Sequence, residues 1–286
     1  MDETFFLCFG HPKSGTTFLQ RMLNLHPQVS CPAEQSFSTL TRCIENDARV
    51  YNEALRHVDR RTGGQGAPVW GNTTSERVFA AIIQALAKDF SRGKPIYGLN
   101  DNHVAQQPKF YNEILGRPRM IAIFRNPVDQ ALSAWRHNSR LAREEPQMAA
   151  MHLGALKNPE GSVDGFVVKV ANDFVGWVNR YFAYAGERPN FLTLRYESLV
   201  ANKAEELRRL FAFLGADPSD ASIASIVANS SREKMAARST RPEFFGIGAT
   251  RNEVAVSPAA RERALAIAGR GLERLGYDVN ALLAAA

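Results

Sequence analysis

Phe5-Phe6-Leu7-Cys8-Phe9-Gly10-His11-Pro12-Lys13-Ser14-Gly15-Thr16-Thr17 decides how the rest of the chain is read. Residues 5–9 are an unbroken apolar run, short and rich in aromatic side chains, and Gly10 stops it. Such a run suits a strand buried on both faces. Gly10 to Gly15 holds a proline between two glycines, which reads as a loop. From Thr16 onward Phe18, Leu19, Met22, Leu23 and Leu25 recur at helical spacing, and His26-Pro27 ends the pattern. Strand, tight loop and helix together aim backbone N–H groups and the positive end of a helix dipole at one point, where an anion can sit. Lys13 adds a positive charge there, Ser14, Thr16 and Thr17 add hydroxyl groups, and Gly15 lets the backbone approach a ligand closely. The same residues also suit a plain glycine turn whose Ser and Thr cap the helix. The motif is not the Walker pattern, which sets Lys directly after the second glycine. Here Thr16 stands in that place, and Lys13 precedes Gly15.

The unit recurs along the chain. Pro95–Leu99, Met120–Phe124 and Phe191–Tyr196 read as further strands. After the second of these, Asn126 can cap a helix, Pro127 suits its first position and Asp129 its third, and the helix is expected to reach about Arg143. Lys203–Leu214, ended by Gly215, and Pro258–Leu275, ended by Gly276, are amphipathic helices. Strands alternating with helices predict an α/β fold, a three-layer sandwich around a mainly parallel sheet. Residues 59–68 read as a flexible loop, and no repeat or linker divides residues 1–286, so a single domain is expected. Segments near 35–95, 144–165 and 238–257 are weakly patterned and are expected to be inserts or lids.

Bulk properties narrow the class. The 286 residues are 45% apolar, an ordinary globular value, and carry a formal charge of +6. A basic balance suits a polyanion or a phosphorylated ligand, but the basic residues do not interleave with aromatics as in a nucleic-acid binder. Cys8, Cys31 and Cys43 are odd in number and lack metal-ligand spacing, so neither a disulfide framework nor a metal site is expected. The chain starts without a basic-then-apolar leader and has no apolar stretch near the ~20 residues needed to cross a bilayer. A soluble cytoplasmic protein without stable membrane insertion is expected, its oligomeric state left open.

A second anion-binding segment follows the clearest strand. Arg125 stands at that strand's carboxyl end, where ligands of open α/β sheets bind, and Ser133 lies about two turns into the next helix. An Arg fork and a hydroxyl can clamp a phosphate, although a salt-bridged Arg and a helix-lining Ser would look the same.

Taken together, Pro12-Lys13-Ser14-Gly15-Thr16-Thr17 and Arg125-Asn126-Pro127-Val128-Asp129 with Ser133 resemble the sulfotransferases that use 3′-phosphoadenosine 5′-phosphosulfate (PAPS). The resemblance implies a P-loop NTPase-like fold and transfer of a sulfuryl group to a hydroxyl or amine of a carbohydrate, lipid or small metabolite, leaving 3′-phosphoadenosine 5′-phosphate (PAP). It also implies that Lys13, Ser14, Gly15, Thr16 and Thr17 hold the 5′-phosphosulfate, and that Arg125 and Ser133, eight residues apart, bind the 3′-phosphate. Many members have Trp where this chain has Phe18. Arg195-Tyr196-Glu197-Ser198-Leu199 is similar to the family's Tyr-Glu-Asp segment, which makes Tyr196 a candidate neighbour of the adenine. Phe245-Gly246-Ile247-Gly248-Ala249-Thr250-Arg251-Asn252 resembles a late Gly-rich segment, with Arg251 as a candidate ligand, though the usual Trp is absent.

Sulfuryl transfer needs charge neutralised on the leaving oxygen, a task for Lys13, and a base for the acceptor's proton. Glu34, after His26-Pro27, looks like the base of glycosaminoglycan and bacterial sulfotransferases. His103 is the second candidate, by similarity to a Lys-Thr-His segment in which this chain has Asp101 in place of Lys. A Glu beside a bound anion and partly desolvated would hold its proton more tightly than usual, as a base requires. The competing readings are an ATP-dependent small-molecule kinase and a nonenzymatic nucleotide-binding module. The acceptor is set by segments in which the sequence carries no legible code.

Overall fold

A computed structural model describes residues 3–67, 69–145, 147, 162–186, 188–238 and 255–284. Arg251 and most of the two later lid segments lie outside the described residues.

Five parallel strands form one sheet in the order β2-β3-β1-β4-β5. They are β1 Thr4–Gly10, β2 Val29–Ser30, β3 Ile96–Asn100, β4 Arg119–Phe124 and β5 Phe191–Arg195. The strand read as Phe191–Tyr196 stops one residue early, because Tyr196 already begins a helix. β2 was not anticipated; two residues are too few to make a pattern.

The apolar run of β1 is divided between two cores. Leu7 and Phe9 enter one with Met120, Ala122 and Phe124 of β4. Phe6 and Cys8 enter the other with Ile121 and Ile123. All nine are fully buried, as the alternation of side chains across a doubly covered sheet demands. α1 Thr16–Leu25 belongs to the second face. α2 Phe37–Arg61, α3 Asn72–Asp89, α4 Pro108–Ile114, α5 Pro127–Glu144 and α6 Val163–Tyr184 contribute to the first. α7 Tyr196–Ala201, α8 Lys203–Leu214, α9 Asp220–Asn229 and α10 Arg232–Ala237 return to the second, and α11 Pro258–Arg274 to the first, before the terminal α12 Val279–Ala284. The result is the three-layer sandwich that alternating strands and helices imply.

The segment 35–95 holds two long helices, α2 and α3. The stretch read as a loop at 59–68 begins inside the last turn of α2, at residues 59–61. α2 buries only Phe37, Ile44 and Ala48 among its 25 residues, so it is polar over most of its surface.

A parallel sheet brings every strand's carboxyl end to one edge. Gly10, Asn100, Phe124 and Arg195 therefore line a single rim, with the loops that follow them above it. Phe124 is held there by a stacked contact with Trp177 of α6, ring centroids 3.9 Å apart. Such a pair adds about 0.5–1.5 kcal/mol beyond its buried area.

Candidate active site

The loop between β1 and α1 closes on itself through Ser14 N–H donating to the His11 carbonyl at 3.0 Å. Lys13 has φ +71° and Gly15 φ +101°, so two of its residues take left-handed backbone. That conformation costs a lysine roughly 1–2 kcal/mol, and such strain tends to persist where a site requires it. At Gly15 a Cβ would lie 2.3 Å from Cδ2 of Tyr196, and at Gly10 2.7 Å from the Ile123 carbonyl oxygen, so both glycines are demanded by close approach. No side chain caps the start of α1, and its first turn carries no acid. The opening amides of α1 thus point at the rim without a carboxylate among them. Ser14 is fully buried, and its Oγ has no hydrogen-bond partner. Thr16 is buried and Thr17 is exposed.

Gln130 of α5 braces this loop. Its Nε2 donates to the Pro12 carbonyl at 3.0 Å and also meets Nδ1 of His11. Burial pushes the His11 pKa down, which favours the neutral ring, and a neutral imidazole can accept through Nδ1.

The second motif meets the first at the neighbouring strand tip. Arg125 follows β4 directly, and its Nη1 donates to the Lys13 carbonyl at 3.3 Å across 112 residues of sequence. The guanidinium lies 4.6 Å from the centroid of the Tyr196 ring, which also lies beside Gly15 and Phe18. Tyr196 is therefore wedged between loop and guanidinium. Arg125 Nε is buried without a partner, a second polar atom at the rim that awaits an acceptor. Asn126 caps α5, its side chain accepting from Val128 N–H at 2.9 Å. The Asn126 backbone N–H donates to Glu197 Oε1 at 2.9 Å, and the Tyr277 hydroxyl donates to Oε2 at 2.7 Å. Ser133 lies half-buried two turns along α5.

Both candidate bases gather beside β3. Glu34 forms an isolated parallel bridge with Asn100, which extends the sheet past β2 and brings Glu34 to the rim. Desolvation, and next the Asp101 charge, raise its pKa, with Asn102 and Lys13 opposing. The residue as a whole is exposed, so the shift belongs to the inward-turned carboxyl and solvent tempers it. Lys13 moves the other way, down to about 8, chiefly through burial, then through Arg140 of α5, with Glu34 opposing. Lys13 and Glu34 thus feel each other across the rim.

His103 sits in a 3-10 turn over Asn102–Gln106, with Nδ1 2.7 Å from the Tyr111 hydroxyl, and burial lowers its pKa. If Tyr111 donates, Nε2 must carry the ring's proton and cannot act as a base. If Nδ1 donates, Nε2 can accept. Asp101 is buried, and its carboxylate accepts from Phe37 N–H and His103 N–H, both at 2.7 Å. The residue standing where the resembled segment has Lys is a cap for two helical starts.

The structure thus gathers Lys13, Ser14, Gly15, Arg125 and Tyr196 in direct contact, with Glu34 in electrostatic reach. The motifs themselves held two further residues that the sequence reading passed over, Gln130 and Glu197. A side chain's choice of brace cannot be read from spacing. Tyr277 carried no signal in the sequence.

A family model described as "Sulfotransferase family" matches residues 6–220. A solved sulfotransferase from Alicyclobacillus acidocaldarius is 18% identical, with a TM-score of 0.54 over 99% of each chain. Retinol dehydratase in complex with androsterone and inactive cofactor PAP is 16% identical, with a TM-score of 0.51 over 96% of this chain and 82% of that one. At these identities the likeness is one of fold. No curated protein sequence matches the chain.

Proposed function

The chain belongs to the sulfotransferase family, and from that premise we propose that it moves a sulfuryl group from PAPS to a hydroxyl or amine of a small molecule or glycan. The observation that carries this reading is the meeting of the two anion-binding segments, Arg125 on the Lys13 carbonyl, at one rim of the sheet. A donor with phosphate at both ends of one nucleoside needs two such cradles side by side. The buried Ser14 Oγ and Arg125 Nε, each lacking a partner, fit a ligand rich in acceptor oxygens. The PAP in the retinol dehydratase complex agrees with this choice of nucleotide.

The donor supplies an activated sulfuryl group; this chain's residues do the rest. The α1 amides with Ser14, Thr16 and Thr17 hold the 5′-phosphosulfate, and Lys13 neutralises charge building on the oxygen that leaves with PAP. Arg125 and Ser133 hold the 3′-phosphate, and Tyr196 lies along the nucleoside. As the acceptor's oxygen or nitrogen bonds to sulfur and the bridging S–O bond breaks, Glu34 takes the acceptor's proton. Glu34 is preferred to His103 because its charge is coupled to Lys13, while Nδ1 of His103 is engaged by Tyr111. One catalytic domain in the cytoplasm is the setting proposed for this reaction. Among the described residues, no helix is long and apolar enough to cross a membrane.

Thermal denaturation with added nucleotide tests the reading. PAP at a hundredfold over its Kd stabilises by about 2.7 kcal/mol. ATP with Mg²⁺ at the same concentration is expected to raise the Tm clearly less. Equal response to the two nucleotides, or loss of the response with EDTA, would refute a 3′-phosphate pocket.

A further inference from the structure

Behind Arg125 lies a chain of contacts that ends far from the two motifs. α11 closes in a turn in which Gly276, at φ +76°, donates to the Glu273 carbonyl at 2.8 Å and Tyr277 N–H donates to the Leu272 carbonyl at 3.0 Å. That turn fixes the Tyr277 backbone, and its ring packs against the first core. The Arg195 guanidinium donates to the Gly276 carbonyl and lies 5.1 Å from the centroid of the Tyr277 ring. The Tyr277 hydroxyl reaches Glu197 Oε2, and Glu197 Oε1 receives the N–H of Asn126, the residue after Arg125. Each Glu197 oxygen is thus engaged by a different segment. Tyr277 itself lies beyond the stretch 6–220 that matches the family model.

We propose that Tyr277 is a positioning residue for the donor site: through Glu197 and the Asn126 amide it fixes the direction of Arg125, and with it the preference for a nucleotide bearing a 3′-phosphate. The inference rests on the reading of Arg125 given above. Its physical basis is the two-oxygen geometry of Glu197. With Tyr277 holding one oxygen, the carboxylate cannot swing, and the other stays on the Asn126 N–H. Remove the hydroxyl and the carboxylate gains freedom, so the peptide that carries Arg125 loses its fixed anchor. The ring over Arg195 stays, and so does the packing.

Isothermal titration with PAP and with 5′-AMP, which lacks the 3′-phosphate, tests this on the full chain. The proteins are the wild type, Tyr277→Phe, Arg125→Ala and the double variant, with Tm measured for each. Tyr277→Phe is expected to weaken PAP about 3- to 10-fold, the net scale of one ordinary hydrogen bond, and to leave 5′-AMP within about twofold. In the Arg125→Ala background the same change should alter PAP affinity by less than about twofold, since coupled residues do not add. Glu197→Ala, which removes both acceptor oxygens, should repeat the selective loss. Equal weakening of both nucleotides, an unchanged PAP affinity, or a full effect persisting without Arg125 would overturn the role given to Tyr277. A wild type that binds PAP no better than 5′-AMP would overturn it too, by removing the donor reading beneath it, and that result is visible before any variant is compared.

Discussion

Lys13 and Glu34 show how one rim can hold a cation and a base with opposite pKa shifts. Burial drives both: it disfavours whichever form is charged, so it lowers the lysine and raises the carboxyl. Under the proposed mechanism, the donor-free enzyme needs Lys13 protonated to receive an anion and Glu34 ionised to accept a proton. The pH profile of kcat/KM for the donor should therefore be a bell, rising as Glu34 ionises above the usual carboxylate range and falling as Lys13 deprotonates near pH 8. Lys13→Arg should remove the alkaline limb, because a guanidinium stays charged. Glu34→Gln should lower kcat by about 10²–10⁴-fold, remove the acid limb and leave PAP affinity within a few-fold. An acid limb that survives Glu34→Gln and disappears in His103→Asn would transfer the base role to His103. Lys13, Ser14, Gly15 and Arg125 were legible from sequence because each sits at a strand end beside a turn, where spacing restricts geometry. Gln130 and Glu197 were not, since nothing in spacing says which carbonyl or amide a side chain will reach.

Among the elements, the 3-10 turn after β3 ties two parts of the rim together. Asp101 accepts from the amides at the starts of both that turn and α2, so one buried carboxylate holds the segment carrying His103 against the helix that follows Glu34. Asp101→Ala leaves those buried amides unsatisfied and is expected to cost about 2–4 kcal/mol, measured by denaturant unfolding. A loss below about 0.5 kcal/mol would mean that water replaces the carboxylate and the cap is dispensable. The sequence placed β1, β3, β4 and β5 to within a residue or so, since each is a dense apolar run. It missed β2, and it treated α2 and α3 as weakly patterned. β2 is too short to alternate, and α2 is polar over most of its length and buries only one thin stripe.

At the scale of the molecule, the proposed donor site joins distant parts of the chain: the β1 loop, the β4 tip, the β5 tip and the turn after α11. A ligand bridging the first two should stiffen all four. Hydrogen exchange is expected to slow on adding PAP in residues 11–19, 125–130 and 196–199, and also around 276–277, which does not touch the proposed nucleotide. Protection confined to the first two segments would mean that the others are scaffold alone. The order β2-β3-β1-β4-β5 has one more result, which concerns how the protein is made. The strand synthesised first lies in the middle, and the flanks that cover its edges, Ile96–Asn100 and Arg119–Phe124, leave the ribosome some hundred residues later. Until then the greasy ribbon Phe5–Phe9 lacks both strand neighbours, and a nascent chain stalled before residue 96 would offer both its edges to chaperones or to other stalled copies.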